Sequence, residues 1–405
     1  LQHQYHIIII GGGAAGFFTA INIKEKNPSL SVAIMEKSEK VLSKVRISGG
    51  GRCNVTNNCP DAQLFLKHYP RGEKELRGPF QRFGNKETVQ WFEQRGVPLK
   101  AQDDGRFFPV SNQSESIIQC FLDKALQLNI PIFTSQSVLD FRKNEAHLWE
   151  ITTQQNTIVA ENLVLTTGSN TKIWNLLEKL GHTIITPTPS LFSFNIPDSK
   201  LQEMMGIAWL VNVKIKDESL QSEGNMLITH WGLSGPAILK LSAWGSKILA
   251  EKQYHFNLEV NWIPKLPYDE VLKDLNQNRI RFPKRSILKN PHFGFTHRLW
   301  EYLVTKAGIQ EKVNYAEISK TLLQNLARQL HQTTYEVNGK STFKDEFVTA
   351  GGVDLKEVNF KTMESKHFPG LYFAGEVLDI DAITGGFNFQ NAWTGGWIIS
   401  EAFKP

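Results

Sequence analysis

A β-branched run breaks into glycine at the start of the chain: Tyr5-His-Ile-Ile-Ile-Ile10, then Gly11-Gly-Gly-Ala-Ala-Gly16. Six mostly apolar residues in a row suit a strand buried on both faces of a parallel sheet. Gly11, Gly13 and Gly16 match G-x-G-x-x-G. The first glycine permits a tight turn, the second lets backbone approach a pyrophosphate, and the third lets the next helix pack on the strand. Ala14 to about Lys26 reads as that helix, ending before Asn27-Pro28. Ser31 to Glu36 reads as the second strand. Glu36 lies twenty residues after Gly16, where an acid accepts hydrogen bonds from a ribose. Two parallel strands joined by a helical crossover belong to a doubly wound α/β fold. The free amides of Gly13, Ala14, Ala15 and Gly16 then form an anion site at a helix N-terminus. The pattern points to a bound dinucleotide.

The chain is 405 residues long, enough for two or three domains. Ser48 to Asn58 is rich in glycine and fits neither helix nor strand. Residues 85–96 and 114–129 read as helices. Pro131–Ser137, Trp149–Thr153, Thr157–Ala160 and Asn162–Thr166 read as strands. After Pro187-Thr188-Pro189 the texture becomes an alternation of apolar and polar residues, as in Val211-Asn-Val-Lys-Ile215, which predicts antiparallel strands over 191–262. Residues 268–330 read as helices, among them Phe295–Ala307 and Tyr315–Leu330. The α/β texture returns at Phe347, with a strand over Gly370–Gly375 and a final helix over Asn388–Phe403. The expected division is a dinucleotide domain over 1–190 and 346–405, interrupted by a β-rich domain over 191–265 and a small helical domain over 266–345. Leu1–Gln4 read as a remnant ahead of the fold.

Composition narrows the function. No run approaches the ~18 apolar residues of a membrane span. The chain opens without a basic, cleavable leader, so a cytoplasmic protein is expected. The three cysteines, Cys53, Cys59 and Cys120, are too few for a disulfide scaffold and are read as reduced thiols. A formal charge of +5 is mildly basic. Its densest stretch, Arg279–Lys289, reads as a solvated face or a patch for an anionic partner. No His, Cys, Asp and Glu spacing suggests a metal site. No Gly-x-Ser-x-Gly elbow supports a serine hydrolase.

The residues alone leave FAD and NAD open. Longer strings decide the matter by likeness. Ser48-Gly-Gly-Gly-Arg-Cys-Asn-Val-Thr-Asn57 and Gly385-Gly-Phe-Asn-Phe-Gln-Asn-Ala-Trp-Thr-Gly-Gly396 are long and unusually composed. With Gly105–Pro109, Thr166–Gly168, His230–Ala237 and Thr349–Val353, they make the whole chain resemble the HI0933-like (YhiN-type) family of FAD-dependent oxidoreductases. That family includes proteins described as aminoacetone oxidases and proteins linked to bile-acid reduction. Where the family often has Gly-Arg-Lys ahead of its glycine run, this chain has Leu42-Ser43-Lys44, with Lys44 in register.

The resemblance implies tightly bound FAD in a Rossmann-like domain of the two-dinucleotide-binding-domain flavoprotein type, with a β-rich and a small helical insertion. Its cofactor residues carry over as Glu36, Lys37, Lys44, Ser48, Gly49, Gly50, Gly51, Val138, Thr167, Gly168, Gly375, Glu376 and Asp379. Val138 is expected at the adenine, and Thr167 and Gly168 on the adenosine side. Gly386 opens the last helix, and the amides of Phe387, Asn388 and Phe389 are expected to face the pyrimidine edge of the flavin, where reduction places negative charge. Arg52 and Asn54 order the glycine loop or meet substrate. Cys53 reads as structural. Hydride chemistry is the cofactor's own, so no catalytic side chain is assigned. A small organic substrate, an amine, ketone or unsaturated compound, is expected between the FAD domain and the insertion. The donor is open, a transiently bound NADH or NADPH included. A flavoprotein acting on RNA, and a non-catalytic FAD sensor, are the alternatives.

Overall fold

The computed structural model describes residues 4–341 and 348–405. The first strand spans Gln4–Ile10, so Gln4 belongs to the fold. Leu1–His3 lie outside the described residues, as do Phe347 and the expected domain boundary at 345. The chain divides into two compact units, Leu1–Thr188 with Phe343–Pro405, and Pro189–Thr342. Among the described residues no helix is long and apolar enough to cross a membrane.

The first unit is built on parallel strands. In spatial order they are Leu371–Phe373, Thr157–Leu165, Gln4–Ile10, Val32–Met35 and Ile132–Phe133. Ile7 to Ile10 are buried at the centre, as a two-sided strand must be. An antiparallel meander, Val138–Lys143, Trp149–Thr153 and Thr157–Leu165, leads into the sheet. Three expectations shift here. The strand expected over Pro131–Ser137 shortens to Ile132–Phe133, and Ser135 turns through a positive φ of 54°. A strand then starts at Val138, which the sequence reading missed. The two strands expected over 157–166 are one, because Glu161 is exposed without interrupting the pairing.

The first helix, Ala14–Lys26, crosses against the last, Phe387–Glu401. A Cβ on Gly396 would sit 2.7 Å from Thr19 Oγ1, so the glycine sets how closely the two approach. Phe18 packs on Trp91 and Trp393 with ring centroids 4.6 and 5.3 Å apart. These aromatics bury large apolar areas and fix the last helix against the dinucleotide strand.

The second unit contains a six-stranded antiparallel sheet and three longer helices, Tyr268–Arg281, His297–Lys306 and Lys320–His331. The last of these starts later than expected because Ser319 caps it, its Oγ accepting the Leu322 N–H at 3.2 Å. The sheet is completed by Thr333–Asn338, paired with His255–Asn261. That strand lies inside the stretch expected to be a separate helical domain.

Candidate functional site

The dinucleotide turn is clamped from both sides. Gly11 N–H donates to Met35 O at 2.7 Å. Thr166 Oγ1 meets the Ile10 and Gly11 carbonyls at 3.0 and 2.9 Å. A Cβ on Gly11 would overlap the Thr166 carbonyl, and one on Gly16 would overlap the Gly11 carbonyl. At Gly13 a Cβ would meet nothing within 4 Å, so that flank is open. The first helix begins at Gly13 with no side-chain cap and no acid in its first turn. Some other helices are capped by Asp61, Asn170, Asp198 and Ser319, while others, such as Tyr268–Arg281 and His297–Lys306, also start without a side-chain cap. The amides of Ala14, Ala15 and Gly16 therefore have no intrahelical or capping partner, which is the donor set a pyrophosphate needs.

Several other residues expected on the nucleotide side lie near this turn. Glu36 Oε2 accepts from Gly12 N–H at 2.8 Å and its Oε1 from Ser38 N–H at 2.9 Å, which holds the carboxylate at the turn. Lys37 is exposed beside it. Gln136 N–H donates to Glu36 O at 2.9 Å, bringing the segment that leads to Val138 alongside. Thr167 Oγ1 is buried with no hydrogen-bond partner among the described residues. Gly168 turns through a φ of 59° and faces Glu376. Glu376 pairs with Lys44 at 2.5 Å and accepts from Thr349 N–H at 2.9 Å. Gly375 approaches Ala15, 3.3 Å from its added Cβ to the alanine Cβ. Asp379 is turned toward Gly351-Gly352, accepting from Gly351 N–H at 2.8 Å.

The expected loop at Ser48–Asn58 is more ordered than its composition suggested. A short helix starts at Ser43, and Leu42 N–H donates to Gly12 O at 2.8 Å. Ser48 then leaves helical geometry, and Gly49, Gly50 and Gly51 follow in the left-handed region at φ 58°, 68° and 80°. Three such residues in sequence suit glycine, which lacks the Cβ that makes this region costly for other residues. Cβ atoms on Gly50 and Gly51 would meet nothing within 4 Å, so one side of this run is open backbone.

The run leads directly to the last helix. Asn54, with its amide oriented to satisfy both ends, accepts from Gly386 N–H at 2.9 Å and donates to Thr56 O at 3.0 Å. Asn57 Nδ2 donates to Gly385 O at 3.1 Å. A Cβ on Gly386 would lie 2.6 Å from the Thr56 carbonyl, and its φ is 91°. The last helix also begins on glycine, with no side-chain cap and no acid in its first turn. The side chains there are occupied. The Phe387 ring stacks on His68 at 4.3 Å, and its carbonyl accepts from Tyr69 O–H at 2.6 Å. Asn388 bonds both the N–H and C=O of Ala382 at 2.9 Å. What this helix start offers is backbone amides.

Several supports went unread in the sequence. Asn57 and Gln390 join Asn54, which the sequence reading had named, in holding the glycine segments together; buried Gln390 Oε1 accepts from Thr56 and Thr88 hydroxyls at 2.7 and 3.0 Å. Arg71 forms a bidentate pair with fully buried Asp381. Their signal was present only as polar residues in apolar surroundings. Cys53, Cys59 and Cys120 are free thiols. Burial pushes the Cys53 thiol up to about 12, so it stays protonated and unreactive at neutral pH. The structure also gathers His182, Glu357 and His367, whose ligand atoms lie within 4.8 Å of one another. Ser365 Oγ already accepts from the His367 and Phe368 amides, so its proton goes to His182 Nε2. His182 Nδ1 then carries the ring proton and donates to Glu357 at 2.7 Å. This is a saturated hydrogen-bond network, not an open ligand set.

These features fit FAD: a cradle that a Cβ would fill, two uncapped helix starts, an orphaned buried hydroxyl and an open glycine flank. Known proteins agree. The HI0933-like protein Rossmann domain matches residues 5–402. A 3-dehydro-bile acid delta(4,6)-reductase of Clostridium scindens is 27% identical over 97% of this chain and 98% of its own. A ribosomal RNA dihydrouridine synthase of Haemophilus influenzae is 28% identical over 96% of each chain. A 3-ketosteroid delta1-dehydrogenase from Sterolibacterium denitrificans, at 12% identity and a TM-score of 0.52, shares the fold over 99% of both chains. The chain belongs to the HI0933-like family and is an FAD-dependent oxidoreductase.

Proposed function

We propose that this protein reduces a carbon–carbon double bond conjugated to a carbonyl in a small organic substrate. Bound FAD supplies hydride transfer at flavin N5. The chain supplies position and field. Amides of Ala14 to Gly16 hold the pyrophosphate, and Glu36 takes a ribose hydroxyl. Lys44, Glu376, Thr167 and Gly168 line the path between, and Asp379 steadies the Gly351 turn beside it. Gly49 to Gly51 lie along the ring or ribityl chain. The Phe387, Asn388 and Phe389 amides stabilise charge at its pyrimidine edge.

One observation carries this reading. Three residues after the open left-handed glycine run, Asn54 accepts from the Gly386 N–H at the uncapped start of the last helix. The two relatives' named activities share the chemistry: a delta(4,6)-reductase and a dihydrouridine synthase both saturate an activated double bond. The test is an anaerobic stopped-flow screen with NADH and NADPH as donors. A panel of enones, ketones, amines and unsaturated steroids serves as acceptors, with flavin absorbance followed throughout. Reduction by a nicotinamide and reoxidation by an enone is the expected result. A flavin that enones never reoxidise overturns it.

The Haemophilus relative's name favours a second reading, in which the double bond belongs to a uridine in RNA. Arg281, Lys284, Arg285 and Lys289 are exposed on the second unit and suit a polyanion. RNA binding whose affinity falls steeply with salt supports it. No shift of ribosomal RNA fragments at low salt ends it.

A further inference from the structure

We propose that Arg52 is the docking point for an anionic group, carboxylate or phosphate, carried by the substrate. The inference rests on the reading that the flavin lies along Gly49–Gly51 and names a substrate class for that site.

The argument begins with charge pairing. Four cations surround the glycine run: Lys44, Arg46, Arg52 and Arg106. Lys44 pairs with Glu376 at 2.5 Å, Arg46 with Glu115, and Arg106 with Asp104 at 2.6 Å. Arg52 has no carboxylate partner among the described residues. Its Nε donates to Gly49 O at 3.3 Å, and its guanidinium carbon lies 4.1 Å from the Phe108 ring centroid. Those two contacts fix the plane of the group. They leave Nη1 and Nη2, the paired donors that match a carboxylate or phosphate edge to edge, without an acceptor among the described residues.

The burial of Arg52 sharpens the point. The residue is partly buried, and withdrawing a cation from water without an anion is costly. A cation placed only to pin the loop needs no charge, since a neutral donor serves the Gly49 carbonyl equally well. Arg106 stands over the same Phe108 ring at 5.5 Å, adding to a positive field that Asp104 only partly offsets.

Position supplies the rest. Arg52 directly follows the open flank of Gly50 and Gly51. Two residues later Asn54 bonds the Gly386 amide at the start of the last helix. Arg52 therefore sits in the chain between the glycine run and the residue that bonds the last helix, the two backbone segments assigned to the flavin. A substrate anchored there by its anion is held at one end while its double bond lies against the ring. Such an anchor supplies orientation, the contribution that positioning makes to rate.

The test is titration calorimetry on the FAD-loaded protein with two matched pairs. One pair is 3-oxo-4-cholenoate and its methyl ester; the other is uridine 5′-monophosphate and uridine. In the wild-type protein the charged member of one pair binds about tenfold or more tightly than its neutral partner, as a charge-assisted bidentate contact allows. The pair that shows the preference tells a carboxylate-bearing substrate from a phosphate-bearing one. R52Q brings the ratio to about one. R52K, which keeps the charge but not the fork, falls in between. Equal binding within both pairs in the wild type overturns the proposal, and so does an unchanged ratio in R52Q. Loss of FAD from R52Q and R52K also overturns it, since Arg52 then serves the cofactor. Enone reduction without charge preference sinks this inference alone. An Arg52-dependent preference in a protein that reduces no double bond sinks the proposed reaction alone.

Discussion

At the scale of single residues, the site is governed by glycines that differ in what they permit. Gly16 is needed for packing: its Cβ would overlap the Gly11 carbonyl. Gly13 faces open space, so only a ligand would notice a methyl there. The two substitutions separate fold from cofactor. Gly16→Ala is expected to cost about 1–3 kcal/mol through overpacking and to lose FAD as well. Gly13→Ala is expected to melt within about 0.5 kcal/mol of wild type, as a substitution without contacts does, yet to retain less flavin. Thermal unfolding and flavin absorbance per protein measure both. A Gly13→Ala protein holding FAD as the wild type does would remove the pyrophosphate from this turn. The glycine spacing was legible in the sequence because its physics is local. Asn54 was read as ordering the glycine loop, but neither its bond to Gly386 nor the role of Gln390 was legible, because Gly386 and the Gln390 Oε1 partners Thr56 and Thr88 lie more than three hundred residues away in the chain.

At the scale of elements, the edge of the sheet beyond Leu371–Phe373 carries a proton-sensitive contact. Burial lowers the affinity of His182 for a proton and outweighs the pull of Glu357. Burial alone would raise Glu357, but hydrogen bonds from Thr183 and His182 hold it low. The groups facing the imidazole are Glu357, His367 and Ser365, with the rings of Phe368 and Phe373. As pH falls below the ordinary histidine value of 6.5, the unfolded chain takes up a proton that the folded one refuses. The unfolded state then binds more protons, so stability present above that pH is lost as the pH descends toward the lowered folded value. The melting temperature is expected to fall between about pH 7 and pH 5.5, and His182→Gln is expected to flatten that slope. An identical slope in the variant contradicts the assignment. The first helix was legible to the residue, since the glycine turn and the Asn-Pro stop bound it. The His182 contact was not, because its partner Glu357 lies 175 positions on and no spacing rule reaches that far.

At the scale of the whole molecule, one α/β unit is interrupted by a second unit over Pro189–Thr342. The interruption was visible as a change from buried runs to alternation. Its internal organisation was less so. Thr333, Tyr335 and Val337 are buried and alternate with exposed neighbours. Their strand pairs with His255–Asn261 across three intervening helices, so a reading by neighbourhood assigned them to a helical domain. The dinucleotide path proposed in the first unit runs from the uncapped first helix, along the helix that starts at Ser43, to the uncapped last helix. A crystal structure of the protein with FAD tests that path most directly. The account predicts the pyrophosphate against the Ala14–Gly16 amides and the pyrimidine edge against Phe387–Phe389, with Gly49–Gly51 alongside the ring or ribityl chain. Density for the cofactor elsewhere, or a flavin ring remote from the last helix, would contradict it.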